Sequence, residues 1–210
     1  EYQPTVRIQD ARIASLEALI RWQHPDFGTV APDRWIPLAE QVGMIHHVTL
    51  WVVDRVCEDM SALKARHGDH IAVAVNISAN DLTHPDFLEK VKAIVQHHGA
   101  QPSDLILEIT ETAMMADTAL AKDVIRTLSQ SGFRIAVDDF GTGHSSLGTL
   151  ATFELDELKI DRSFLSDILT QPARQRIFRA ALDLGEALDL DVVVEGVEEE
   201  AIAAWLQQFP

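Results

Sequence analysis

The sequence predicts an α/β fold, a modified (β/α)8 TIM-like barrel with an antiparallel first strand pair. Three observations carry that prediction: short, continuously apolar runs rich in β-branched residues, amphipathic stretches alternating with them, and seven such runs within 210 residues. The alternation calls for a parallel sheet covered by helices, and the number of runs favours a barrel over an open doubly wound sheet.

The runs at 2–8 and 14–22 come first. Only a handful of residues separates them, too few for a parallel crossover, so they pair antiparallel and make the barrel irregular. The remaining runs lie at 71–77, 105–109, 134–138, 157–160 and 191–195. Helical periodicity fills the intervals. It places Phe87, Leu88, Val91, Ile94 and Val95 in a helix over 85–98, Leu120, Val124, Ile125 and Leu128 in one over 118–131, and Ile177, Phe178, Ala181 and Leu184 in one over 174–188. From Ile71 onward strand and helix therefore alternate. A helix over 199–208 then leads toward an eighth strand, which this reading places past Pro210. With Glu1 rather than Met at its start and no linker-like segment inside it, the chain reads as one domain, 1–210, truncated at both ends and part of a larger protein.

Charge and composition narrow the function classes. The 17 Lys and Arg residues against 33 Asp and Glu give a formal net charge of −16, which argues against non-specific nucleic-acid binding and against attraction to anionic membranes. Hydrophobic residues make up 47% and charged residues 24% of the chain, a balance that supports a packed core rather than disorder. The longest apolar stretches, 71–75 and 192–194, fall short of the roughly 18 residues a membrane-spanning helix needs. A soluble segment without membrane contact is expected. The single cysteine, Cys57, allows no internal disulfide and fits a reducing cytoplasmic setting, with its side chain as a small buried apolar group.

Chemistry concentrates where the apolar runs end. Glu17 interrupts the second run, Asn76, Glu108 and Asp138-Asp139 close the third to fifth, and Lys159 and Glu195 close the last two. In a parallel barrel the carboxyl ends of the strands converge on one face, where barrel enzymes hold their active sites. Acids, an amide and one lysine are thereby delivered to one place. Several carboxylates buried together need positive charge, and no comparable set of basic residues occupies the strand ends. Oxygen ligands of this kind suit a hard divalent cation, Mg²⁺ or Mn²⁺, whereas zinc would call for more histidine or cysteine. The nine histidines do not supply such a set. His46-His47 and His97-His98 fall in helical patterns or at their ends, and His24, His67, His70 and His84 fall in loops near Pro, Gly or Asp, all as surface or packing residues.

Neighbouring Asp138 and Asp139 point to opposite faces of a continuing strand, so a shared site requires the strand to end between them. Phe140-Gly141-Thr142-Gly143 supplies the break. Carboxylates side by side at a strand end can bridge or divide two metal ions about 3.5–4 Å apart, as in the hydrolysis of phosphate esters. Taken alone, Asp-Asp-Phe-Gly is equally an acidic turn cap. On the second run Glu17, Leu19 and Arg21 alternate with Ala18, Ile20 and Trp22, which puts the acid and the guanidinium on one face. Arg21 then either clamps phosphate oxygens or joins a cross-strand Glu–Arg ion pair. Lys159, between Glu157 and Asp161, is open to an ordinary ion pair as well.

Together these segments resemble one family, the EAL-domain phosphodiesterases of cyclic dimeric GMP (c-di-GMP), a bacterial second messenger. The resemblance runs in order and spacing along nearly the whole chain: Tyr2-Gln3-Pro4, Glu17-Ala18-Leu19-Ile20-Arg21-Trp22, His24-Pro25, Ile36-Pro37-Leu38-Ala39-Glu40 and Val75-Asn76-Ile77-Ser78. It continues through Leu107-Glu108-Ile109-Thr110-Glu111, Asp138-Asp139-Phe140-Gly141-Thr142-Gly143, Lys159-Ile160-Asp161-Arg162-Ser163-Phe164 and Glu195-Gly196-Val197-Glu198. The resemblance implies that Glu17, Asn76, Glu108 and Asp138 are metal ligands and that Asp139 helps to hold a second ion. Lys159 then lies near the attacking water and the phosphate, and Glu195 orients that water. Substrate contacts are implied for Gln3, Leu19, Arg21 and Glu198, the last also supporting the site, and a loop-supporting role for Glu111.

The implied activity is hydrolysis of c-di-GMP to linear 5′-pGpG with two Mg²⁺ or Mn²⁺ ions. The alternative is a catalytically silent c-di-GMP receptor that signals through partner domains. The resemblance also implies a homodimer formed next to the 138–143 loop and fusion to sensory or diguanylate-cyclase-like domains. The sequence departs from the family at His144, where an aromatic residue ordinarily follows Gly-Thr-Gly. Within residues 1–210 the family's helix ahead of Tyr2 and its final strand with a Gln-Gly motif are expected to be missing.

Overall fold

The computed structural model describes residues 1–142 and 147–209, without the side chain of Leu147. The chain begins with β1 (Tyr2–Val6), β2 (Ile13–Ala18), a hairpin of β3 (Trp22–His24) and β4 (Gly28–Val30), α1 (Pro32–Gln41) and α2 (Ile45–His67). It continues with β5 (Val73–Ile77), α3 (Ala79–Thr83), α4 (Phe87–His98), β6 (Leu105–Thr110), α5 (Glu111–Ala116) and α6 (Thr118–Gln130). The last elements are β7 (Arg134–Phe140), α7 (Leu147–Leu150), β8 (Glu157–Ile160), α8 (Pro172–Ala187), β9 (Asp191–Val194) and α9 (Glu200–Leu206). Seven strands form one sheet in the order β1-β2-β5-β6-β7-β8-β9, with β3 and β4 as a separate pair. β1 runs antiparallel to β2, and every later neighbour in the large sheet is parallel. The fold is the modified TIM-like barrel that the sequence predicts.

The central strands carry two kinds of residue in alternation. Val73, Val75 and Ile77 of β5, Leu105, Leu107 and Ile109 of β6, and Ile135 and Val137 of β7 are buried in one large core. They pack there with Val53, Val56 and Met60 of α2, Phe87, Val91 and Val95 of α4, and Ile125 and Leu128 of α6. Each such side chain contributes roughly 1.5–3 kcal/mol on burial. A second core joins Ile160 of β8 to Phe178 and Ala181 of α8 and to Ile202 and Leu206 of α9. The opposite strand face carries Ala72, Ala74, Ile106 and Ala136, a small cluster of its own inside the barrel. Successive side chains on a strand point to opposite faces, so Asn76, Glu108 and Asp138 continue that inner row. Ala136 lies opposite Glu157, which puts Glu157 and Lys159 of β8 on the inner face as well.

The helices expected over 85–98, 118–131, 174–188 and 199–208 are α4, α6, α8 and α9. Both of the first two strand expectations are corrected. The run 2–8 stops at Val6, where Arg7 and Ala11 close a turn and Ala11 takes a left-handed φ of 56°. The run 14–22 stops at Ala18, and only its last residue, Trp22, belongs to β3, which pairs with β4, where Gly28 takes φ 67°. Cys57 is buried, as expected. No helix among the described residues is long and apolar enough to cross a membrane. Gly143 and His144 lie outside the described residues.

Candidate active site

Lys159 organises the carboxyl end of the barrel. Its Nζ lies 2.7 Å from Glu108 Oε1, 2.8 Å from Glu195 Oε1, and 3.3 Å from both Glu17 Oε2 and Asp138 Oδ1. Asn76 joins the group by donating its Nδ2–H to Glu17 Oε1 at 3.0 Å. Strand register explains the meeting. Asn76 lies opposite Glu108, Gln3 lies opposite Glu17, and Glu195 follows β9 in phase with Val193, which faces Lys159. Glu17, Asn76, Glu108, Asp138, Lys159 and Glu195, picked out one by one along the chain, are thus brought together.

Four carboxylates around one ammonium leave a formal excess of three negative charges. Burial pushes the Glu108 carboxyl up to about 8 against the pull of Lys159, and the charges of Glu17 and Asp138 add to the push. Burial likewise raises Glu195 and Asp139 above the ordinary carboxylate range. At Lys159 burial opposes the charge, but Glu108, Asp138, Glu17 and Glu195 outweigh it and hold the ammonium well above the ordinary lysine value. Glu108 Oε2 is buried without a hydrogen-bond partner. An orphaned carboxyl oxygen among acids whose ionisation burial opposes fits a hard cation held by oxygen donors. Asp138, Asp139 and Glu195 offer three such oxygens within 4.8 Å of one another.

The paired aspartates reach one site by a route the sequence did not disclose. β7 does not end between them but runs on to Phe140. Asp139 instead takes a left-handed φ of 55°, and the β7–β8 register shifts between Val137 and Phe140. This irregularity turns Asp139 toward the side of Asp138, whose Oδ1 accepts the Asp139 N–H at 3.0 Å. Gly141 follows at φ 95°, where a Cβ would collide with the Phe164 ring. Its N–H donates to Glu111 Oε2 at 2.8 Å, so Glu111 holds the segment after the aspartates. The motif around Lys159 contains Phe164 without suggesting that its ring fits under Gly141. Only the Cβ-free position at 141 hinted at a close approach.

The shared face of Glu17, Leu19 and Arg21 is corrected. Because β2 ends at Ala18, Arg21 is not on that strand; the Glu–Arg ion pair does form, between its Nε and Glu1 Oε2 at 2.7 Å. The Leu19 N–H donates to the Glu1 carbonyl at 2.8 Å. Lys159 is likewise not paired to its sequence neighbours: its partners come from β2, β6, β7 and the residue after β9, while Glu157 faces Arg134. Glu198 is exposed and makes none of the ion pairs that tie the cluster together.

The fold and this cluster define a barrel protein with a carboxylate-rich site at the carboxyl ends of its strands. The family model for the EAL domain matches residues 1–210, and the chain belongs to that family. It is 39% identical over 209 residues to MucR of Pseudomonas aeruginosa, named a bifunctional diguanylate cyclase/cyclic di-GMP phosphodiesterase, covering 99% of this chain and 30% of that protein. It is 38% identical over 207 residues to NbdA of the same organism, named a cyclic di-GMP phosphodiesterase, covering 99% of this chain and 26% of that protein. The chain thus spans less than a third of either relative. A solved structure described as PaMucR phosphodiesterase, c-di-GMP complex, matches with a TM-score of 0.92 at 37% identity, over 99% of this chain and 84% of that one.

Proposed function

We propose that this chain is the phosphodiesterase unit of a larger signalling protein and hydrolyses c-di-GMP to linear 5′-pGpG. The observation that carries the reading is the cluster of Glu17, Glu108, Asp138 and Glu195 on Lys159, with Asn76 beside it. The names of MucR and NbdA support the substrate. On this reading Glu17, Asn76, Glu108, Asp138 and Asp139 would hold Mg²⁺ or Mn²⁺, as two ions. Bound there, such ions supply charge neutralisation for the scissile phosphate and acidify water.

The chain's own groups do the rest. Lys159, kept charged by its neighbours, turns its ammonium to the negative charge that develops on the phosphate oxygens. Glu195, half-buried and beside that ammonium, accepts a hydrogen bond from the attacking water and so orients it. Gln3, on the strand beside Glu17, touches the nucleotide, with Leu19 and Glu198 lining its approach. Arg21 sits in an exposed ion pair of small value, which a substrate phosphate can displace. The unit works in the cytoplasm as a homodimer, fused to sensory or diguanylate-cyclase-like domains.

The test is product analysis from c-di-GMP with Mg²⁺ or Mn²⁺, run beside chelator and Ca²⁺ controls. Linear 5′-pGpG forms only with the metal, and Glu17→Ala lowers turnover by about 100-fold or more. Turnover unchanged in Glu17→Ala at saturating Mg²⁺ removes that ligand assignment. Tight binding without turnover replaces the enzyme with a silent receptor.

A further inference from the structure

A second buried network lies at α3, which begins three residues after Asn76. Asp81 in α3 is fully buried, and its carboxylate accepts four hydrogen bonds. His46 Nδ1 lies 3.1 Å from one oxygen. The other oxygen takes Thr49 Oγ1 at 2.8 Å, the Ser78 N–H at 3.0 Å and Ser78 Oγ at 2.8 Å. The Asp81 N–H donates to Ser78 Oγ at 3.2 Å, completing a capping box at the start of α3. A capping box needs only its own two residues. His46 and Thr49, both buried, come from α2 and are more than capping a five-residue helix requires.

The pattern of partners fixes what each group does. His46 Nε2 lies 3.5 Å from Lys90 Nζ, and its ring stacks on His84 with centroids 3.8 Å apart. An ammonium cannot accept, so Nε2 accepts from Lys90 and the Nδ1–H donates to Asp81. A buried carboxylate without donors is costly, and here every donor is spent on holding it at one point. That point is Ser78, two residues after Asn76, whose Nδ2 donates to Glu17 Oε1.

We propose that Asp81, held by His46 and Thr49, is a positioning residue for Asn76. By anchoring the chain at Ser78 it sets how the Asn76 amide meets Glu17 and the cation of the site. The proposal rests on the metal-dependent reading above. A positioning role and a purely structural cap differ in what they do to metal affinity.

Mn²⁺ affinity, read from the electron paramagnetic resonance signal of free Mn²⁺, and thermal unfolding are measured on the parent protein, Asn76→Ala, Asp81→Ala, Thr49→Val and the double variants. Asn76→Ala weakens Mn²⁺ binding about 10- to 100-fold, and Asp81→Ala weakens it about tenfold. In the Asn76→Ala background Asp81→Ala adds no further loss of affinity, because both act through one amide, while the melting temperature still falls. Thr49→Val, which removes a single donor, gives a few-fold loss with the same non-additivity, and it carries the test if Asp81→Ala does not fold. Unchanged affinity with a lower melting temperature overturns the proposal, as do losses that multiply in the double variant. If the parent protein binds no Mn²⁺, or Asn76→Ala binds it equally well, the metal reading falls and takes this proposal with it.

Discussion

At the amino end of the barrel interior Arg134 lies 3.3 Å from Asp191 and 3.8 Å from Glu157, whereas at the carboxyl end Lys159 has four carboxylates within 3.3 Å. Ala72, Ala74, Ile106 and Ala136 separate the two groups. The Arg134 side chain is 31% exposed and that of Asp191 78%, against 4% for Lys159. Water therefore screens the Arg134–Asp191 pair, Glu157 is buried beside it, and one cation faces two acids rather than four. At the carboxyl end four acids outnumber Lys159, the one cation among the described residues of the cluster, and of the four Glu108 is sealed from water while Glu17, Asp138 and Glu195 are partly exposed. A structural ion pair needs no such excess. Unbalanced charge is tolerated where a ligand is to complete it, so the same materials make a plug at one end and a site at the other.

Three experiments bear on this contrast. The largest effect belongs to Lys159→Met, which leaves four carboxylates facing one another and costs about 3–5 kcal/mol of unfolding free energy without divalent cations. Arg134→Met costs less, about 1–3 kcal/mol, because it strands buried Glu157 while its other partner, Asp191, is exposed. Urea unfolding of both variants in chelator decides the matter, and equal losses would erase the distinction between the ends. Next comes Ala136→Leu, which inserts bulk into the fully buried layer between the clusters, opposite Glu108. A loss of about 1–3 kcal/mol is expected in the same assay, and a neutral result would mean that this layer is not close-packed.

The smallest effect is a pH dependence at the amino end. Burial raises Glu157 above the ordinary 4.5, outweighing the pull of Arg134. The folded protein thus keeps this proton to higher pH than the unfolded chain does. The stability it contributes is complete below 4.5 and is lost as pH rises through the raised value. Glu157→Gln removes that loss, so the unfolding free energy of the variant relative to the parent climbs across this window by no more than about 1.4 kcal/mol per pH unit, and is level above it. Denaturation series at several pH values between 4 and 7 give the difference curve, and a flat one rules the shift out.

What the sequence made legible was local or followed from barrel geometry. The strands from Ile71 onward show as apolar runs, and strand ends in a parallel barrel converge, so Glu108, Asp138, Lys159 and Glu195 could be grouped without coordinates. The route of Asp139 was hidden because its left-handed backbone depends on the β7–β8 register and not on its neighbours in sequence. The partner of Arg21 was hidden because β2 stops where the hairpin of β3 and β4 begins to pair. His46 and Asp81 lie on separate helices, and no periodicity links them.

The alternation along β5 to β8 has a consequence for how such a protein changes over generations. Within each strand the residues that hold the fold and those that offer chemistry occupy numbers of opposite parity: 73, 75 and 77 against 76, 107 and 109 against 108, 135 and 137 against 138, 158 and 160 against 159. A lineage can rewrite the acids without touching a residue that packs beneath a helix, and each acid lost relieves repulsion. Point substitution can therefore strip the site of its acids while the fold stands. One inserted or deleted residue in a strand is different, because it exchanges the two sets along its length and puts carboxylates under the helices.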